Sequence, residues 1–125
     1  MVPLKIEKTK TTPSVILDSE KGIFEISGNS LPENAMGFYQ PVTDWVNTYL
    51  SNPNPTTEFT FKMDYFNTAS SKILFELIKL HKSIQTSGKT VVINWFYHEE
   101  DEDMLEAGQD YADLTKLPFE FKILT

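Results

Sequence analysis

The segment Thr90 to Tyr97 is apolar nearly throughout, and only Asn94 interrupts it. A run this short cannot cross a membrane, and its β-branched and aromatic residues predict a central strand covered on both faces. Such a strand belongs to a parallel sheet, whose neighbours must be joined by crossover helices. The flanking chain supplies them. Upstream, Glu58 to Phe66 alternates, with Phe59, Phe61, Met63 and Tyr65 on one side and Thr60, Lys62 and Asp64 on the other. Ile73, Leu74, Leu77, Ile78, His81 and Ile84 then form one helical stripe, which Gly88 is placed to stop. Downstream, the acidic run Glu99 to Asp103 opens a shorter helix predicted to carry Met104, Leu105, Tyr111 and Leu114 inward. Leu117-Pro118 ends it, and Phe119, Phe121 and Ile123 make a last alternating strand.

The first half adds strands that pair locally. Leu4 to Thr9 alternates apolar and charged residues until Pro13, which has no N–H to donate, breaks the ladder. Ser14 to Leu17 and Gly22 to Ser27 are short apolar runs joined by Asp18-Ser19-Glu20-Lys21, and they read as an antiparallel hairpin. Gly28-Asn29-Ser30 ends it. A loop holding Pro32 follows, and Pro41 stands where a helix is expected to begin, since a first helical turn has no use for its missing N–H. Val42, Trp45, Val46, Tyr49 and Leu50 form that helix's apolar stripe, and Asn52-Pro53-Asn54-Pro55 stops it. The predicted order is strand, strand, strand, helix, strand, helix, strand, helix, strand. That is an α/β fold of one domain over residues 1–125, a mixed sheet with helices packed on it.

Composition narrows the chemistry. The chain is 40% hydrophobic and 23% charged, which excludes a disordered or low-complexity polymer. With no cysteine, disulfides, thiolate nucleophiles and Cys-ligated metal centres are excluded. The net charge is −7 and all 11 cations are lysine, a poor match to nucleic acid, which favours a basic face and arginine. The amino terminus lacks the apolar core of a signal peptide and no segment is long enough to span a bilayer, so a cytoplasmic protein without membrane insertion is expected. Neither a phosphate-binding glycine loop nor a G-x-S-x-G elbow occurs, and no catalytic residue or cofactor is expected. His81 lies on an apolar stripe and reads as a packed core histidine. His98, beside Glu99 to Asp103, lacks any recognised ligand spacing. The acidic run reads as a solvated helix start that opposes the helix dipole, and the competing reading is a small-molecule or metal sensor over residues 98–103.

The informative segment is Asp64-Tyr65-Phe66-Asn67-Thr68-Ala69-Ser70-Ser71-Lys72. It is a strand-to-helix junction at the carboxyl end of a strand, the side where open α/β sheets place functional groups. Asn67 or Thr68 would cap the helix. Capping alone does not account for four hydroxyl or amide residues in this stretch, and a helix amino terminus also stabilises phosphate. A capping turn and a phosphate-accepting hydroxyl are both open on this pattern. Phe38 and Tyr39 precede the expected helix outside its stripe, and either form an exposed docking patch for a partner or plug the bottom of the sheet.

The string Tyr65-Phe66-Asn67-Thr68-Ala69-Ser70-Ser71-Lys72 resembles the signature of the SiaC family of bacterial regulatory phosphoproteins. Thr11-Thr12-Pro13, Gly28-Asn29-Ser30-Leu31-Pro32-Glu33-Asn34 with Phe38-Tyr39, and Asp101-Glu102-Asp103-Met104 through Asp110-Tyr111 agree with it in order along the chain. Ala69 stands where the family often has serine, and Gln109 where an acidic residue is usual. The resemblance implies a STAS-like fold and a partner-switching role. A cognate Ser/Thr kinase would phosphorylate Thr68, and a PP2C-type phosphatase would remove the phosphate. The unphosphorylated form would bind and activate a diguanylate cyclase, controlling cyclic di-GMP and biofilm formation. Asn67, Ser70, Ser71 and Lys72 would frame the site.

Overall fold

In the computed structural model, which describes residues 1–125, the hairpin pairing comes first in the chain. β1 (Leu4–Ile6) lies antiparallel to β2 (Ser14–Asp18), which lies antiparallel to β3 (Ile23–Ser30). β1 stops well short of Thr9, because the Thr9 hydroxyl accepts from the N–H groups of Thr11 and Thr12 and turns the chain there. β3 in turn runs past the glycine expected to end it. Gly28 has φ +110, and the register against the next strand shifts between Gly28 and Asn29, so the strand bulges and continues to Ser30. A Cβ at Gly28 would sit 2.9 Å from Lys8 Cδ in a backbone conformation L residues avoid.

From β3 onward all pairing is parallel. α1 (Ala35–Leu50) leads to β4 (Thr56–Phe66), α2 (Thr68–Leu80) and α3 (Lys82–Thr86) lead to β5 (Thr90–His98), and α4 (Glu102–Thr115) leads to β6 (Phe119–Leu124). The sheet order is β1-β2-β3-β4-β5-β6, so every crossover steps in one direction. Connections of one hand stepping one way must all pass over the same face. Val15, Leu17, Phe24, Ile26, Phe59, Phe61, Met63, Val91, Ile93 and Trp95 are accordingly buried beneath the helices in one core. The opposite face is open. This corrects the expectation for β5, whose Val92 and Phe96 are only half-buried.

Three further expectations are corrected. α1 begins six residues before Pro41, because Asn34 Oδ1 accepts from Gly37 N–H at 3.1 Å and caps the helix there, leaving Pro41 inside it. The second predicted helix breaks at His81 into α2 and α3. On α4, Gly108 and Thr115 face inward with Met104 and Tyr111, while Leu105 is half-buried and Leu114 is 70% exposed. The inward glycine lets α4 lie close on β5. A Cβ there would meet Trp95 Cδ1 at 2.5 Å, and Trp95 Nε1–H donates to the Met104 carbonyl at 2.9 Å. That contact sets Tyr111 beside the start of α2. No helix is long and apolar enough to cross a membrane.

Candidate functional site

β4 ends at Phe66, and Asn67 turns the chain out of the sheet into α2. Asn67 is extended, with φ −81 and ψ 176, and its N–H donates to the Ser30 carbonyl at the end of β3. Its Oδ1 accepts from Ser70 N–H at 2.9 Å and its carbonyl from Ser71 N–H. Asn67, not Thr68, is therefore the cap. The N–H groups of Thr68 and Ala69 are left without intrahelical acceptors, as at any helix start.

Two of the three hydroxyls in this turn are held. Ser70 is fully buried and donates to the Ser30 carbonyl at 3.1 Å, while Ser30 Oγ donates to Ser70 Oγ at 2.8 Å. Tyr39 OH lies 2.6 Å from Ser30 Oγ, and burial pushes its pKa up to about 12 despite that bond. Ser71 Oγ lies 3.0 Å from Tyr111 OH, which donates to the Ser71 carbonyl at 2.9 Å. Burial again raises the tyrosine's pKa, with Asp110 adding to the effect and the Ser71 bond opposing it. Thr68 is different. It is the first residue of α2, it is exposed, and its hydroxyl makes no hydrogen bond within the protein. The turn is clamped from β3, α1 and α4, and presents one free hydroxyl.

Lys72 stands one helical turn beyond Thr68, exposed and in no ion pair. Beside it a hollow of about 320 Å³ opens between α1 and α2, lined by Met36, Tyr39, Lys72, Ile73 and Leu77 among others. An adjoining hollow of about 400 Å³ extends from Met36 and Asn34 to Ala69. Tyr39, one of the two expected docking aromatics, is 1% exposed and belongs to the core stripe Tyr39, Val42, Val46, Tyr49, because α1 starts earlier than its prolines suggest. Phe38 is half-buried edge-on against the Tyr39 ring. Of the pair, Tyr39 plugs the sheet, and it is Met36, 74% exposed, that offers apolar surface beside Ala69 and Lys72 of α2.

The alternative segment assembles no metal centre, although Asp101 and Asp103 line a hollow of about 240 Å³ with Asp64, Tyr65 and Phe66. His98 Nε2 pairs with Asp64 Oδ1 at 2.9 Å on the surface, Asp101 Oδ1 caps α4 by accepting from Met104 N–H, and no three His, Asp or Glu side chains are grouped as metal ligands. His81 is a core residue as expected. Its Nδ1–H donates to the Leu77 carbonyl at 2.8 Å, and its ring stands edge-on to Phe59. The sequence alone does not mark Ser30, Tyr111 or Met36 as site residues. Ser30 and Tyr111 lie in the strings that resemble the family signature, but their bonds to the turn span 40 residues of sequence and leave no local mark.

The model of the family described as "SiaC family regulatory phosphoprotein" matches residues 6–124. An uncharacterised protein of Pseudomonas aeruginosa (strain UCBPP-PA14) is 28% identical over 119 residues, 95% of this chain and 94% of its own. The structure of SiaC of Pseudomonas aeruginosa superposes with a TM-score of 0.88 at 26% identity, covering 99% of this chain and 100% of that one. A crystal structure of the diguanylate cyclase SiaD in complex with its activator SiaC, from the same organism, aligns with a TM-score of 0.89 at 26% identity over 97% of this chain and 99% of that one.

Proposed function

The chain belongs to the SiaC family of regulatory phosphoproteins, and on that footing we propose that it is a non-enzymatic cytoplasmic switch whose phosphate acceptor is Thr68. In this reading a cognate Ser/Thr kinase adds the phosphate and a PP2C-type phosphatase removes it. The unphosphorylated form binds and activates a diguanylate cyclase, as the name of the related complex describes for its own SiaC, and so controls cyclic di-GMP and biofilm formation. The observation that carries the reading is the state of the hydroxyls: Ser70 and Ser71 are bonded and Thr68 is exposed and free.

The physics of the switch follows from that placement. A phosphate adds about −1.5 to −2 of charge and three acceptor oxygens to a chain that already carries −7. At the start of α2 it meets free N–H groups, the positive end of the helix dipole and Lys72, so the helix stays folded. A partner seated over Thr68 and the apolar hollow beside it would instead meet repulsion and a costly desolvation. A loss of ~3 kcal/mol is about a hundredfold in affinity, enough to exchange partners.

The test is to map phosphate by mass spectrometry on protein purified from the native host, then to assay the cyclase with variants. Thr68→Ala should resist the kinase while still binding and stimulating the cyclase, and Thr68→Asp should bind it weakly. Phosphate mapped to another residue, or stoichiometric labelling of Thr68→Ala, would overturn the assignment.

A further inference from the structure

The two edges of the sheet are unequal. β1 is three residues long with Pro3 beside it, a blunted edge of the kind that discourages pairing. β6 is twice as long at six residues, follows Pro118 as β1 follows Pro3, and leaves Phe121 37% and Ile123 45% exposed. The Pro118 carbonyl accepts from Ile93 N–H, so it points toward β5. Backbone direction alternates along a strand, so Glu120 and Lys122 also turn their N–H and C=O groups toward β5, and Phe119, Phe121 and Ile123 turn theirs to the open edge.

We infer that this edge pairs with the same edge of a second copy, antiparallel about a two-fold axis through Phe121. Only pairings that set outward residues against outward residues can form a ladder. Centring on Glu120 or Lys122 would put like charges opposite each other. Centring on Phe121 sets Glu120 against Lys122 of the second copy, and Lys122 against Glu120, on the open face. It sets Phe119 against Ile123 and Phe121 against Phe121 on the helix face, and every outward N–H and C=O of these residues finds a partner. The edge is complementary to itself in charge, in apolar surface and in backbone direction, which is what an isologous interface requires. Within one copy Glu120 and Lys122 are free to re-pair. They lie 3.9 Å apart, both well exposed, in a contact too loose to hold them.

The test is sedimentation of the full chain over a range of concentrations. Wild type should dimerise reversibly. Glu120→Lys and Lys122→Glu alone each put like charges opposite one another and should weaken dimerisation at least about tenfold, and the double swap should restore it. An equimolar mixture of the two single variants should associate as a heterodimer, since every cross-strand pair is then unlike. Thermal melts of each variant keep a folding defect distinguishable from lost pairing. A wild type that stays monomeric, single variants that dimerise as well as wild type, or a mixture that does not associate would each overturn the pairing. Because the edge lies away from Thr68, the outcome is independent of the phosphorylation reading.

Discussion

Proton order in the buried hydroxyls follows from counting donors. Ser70 spends its hydrogen on the Ser30 carbonyl and Ser30 spends its own on Ser70 Oγ, so Tyr39 must donate to Ser30 Oγ. The Ser30 carbonyl also accepts from Asn67 N–H, which makes Ser30 the anchor on both sides of Thr68. Ser30→Ala would leave the Tyr39 O–H buried without an acceptor, at a cost of about 1–3 kcal/mol in urea unfolding. Adding Tyr39→Phe removes the orphan donor and should recover part of that loss, so a double variant weaker than the sum of the singles would contradict the proton order. This anchoring is what a local pattern misses. The string from Tyr65 to Lys72 announces a capped helix start with surplus hydroxyls, but which hydroxyl is free depends on Ser30, Tyr39 and Tyr111, none of them adjacent in sequence.

At the scale of elements, the two misplaced helix boundaries have different causes. Asn34 and its bond to Gly37 start α1 early enough that Pro41 lies inside the helix, where its ring denies the Gly37 carbonyl an N–H. Pro41→Ala supplies that donor and should raise stability by about 1 kcal/mol after allowing for the more flexible unfolded chain, and a lower melting temperature would refute the account. His81 sits at the break between α2 and α3, where burial holds its pKa near 4, below the ordinary 6.5. As pH falls through 6.5 the unfolded chain takes up a proton that the folded chain refuses until about 4. The stability carried by the neutral imidazole is complete above that window and declines across it, by roughly 3 kcal/mol at the acid end. Unfolding free energies measured over this range should fall more steeply for wild type than for His81→Gln, and parallel curves would remove His81 as the cause. The helical stripe itself was plain in the residues from Ile73 to Ile84. The break was not, because it depends on what the stripe packs against.

For the molecule as a whole, the strand and helix order was readable from periodicity, and the parallel half followed from the alternation beginning at Glu58. The direction of winding was not, because neighbour order in a sheet is decided by packing between segments and leaves the pattern of each segment unchanged. That direction makes the two faces of β5 unequal. Ile93→Ala, beneath the helices, should cost about 2–5 kcal/mol, and Val92→Ala on the open face about 1 kcal/mol or less, as measured by chemical denaturation. Equal losses would mean that something covers the reverse of the sheet.

One-way winding also has a practical consequence. Every helix, and with them the Thr68 turn, occupies a single side, while Val92 and Phe96 look out from the back. A dye or tether fastened to that back stays clear of whatever visits the turn, which gives an observer a handle on the molecule while it works.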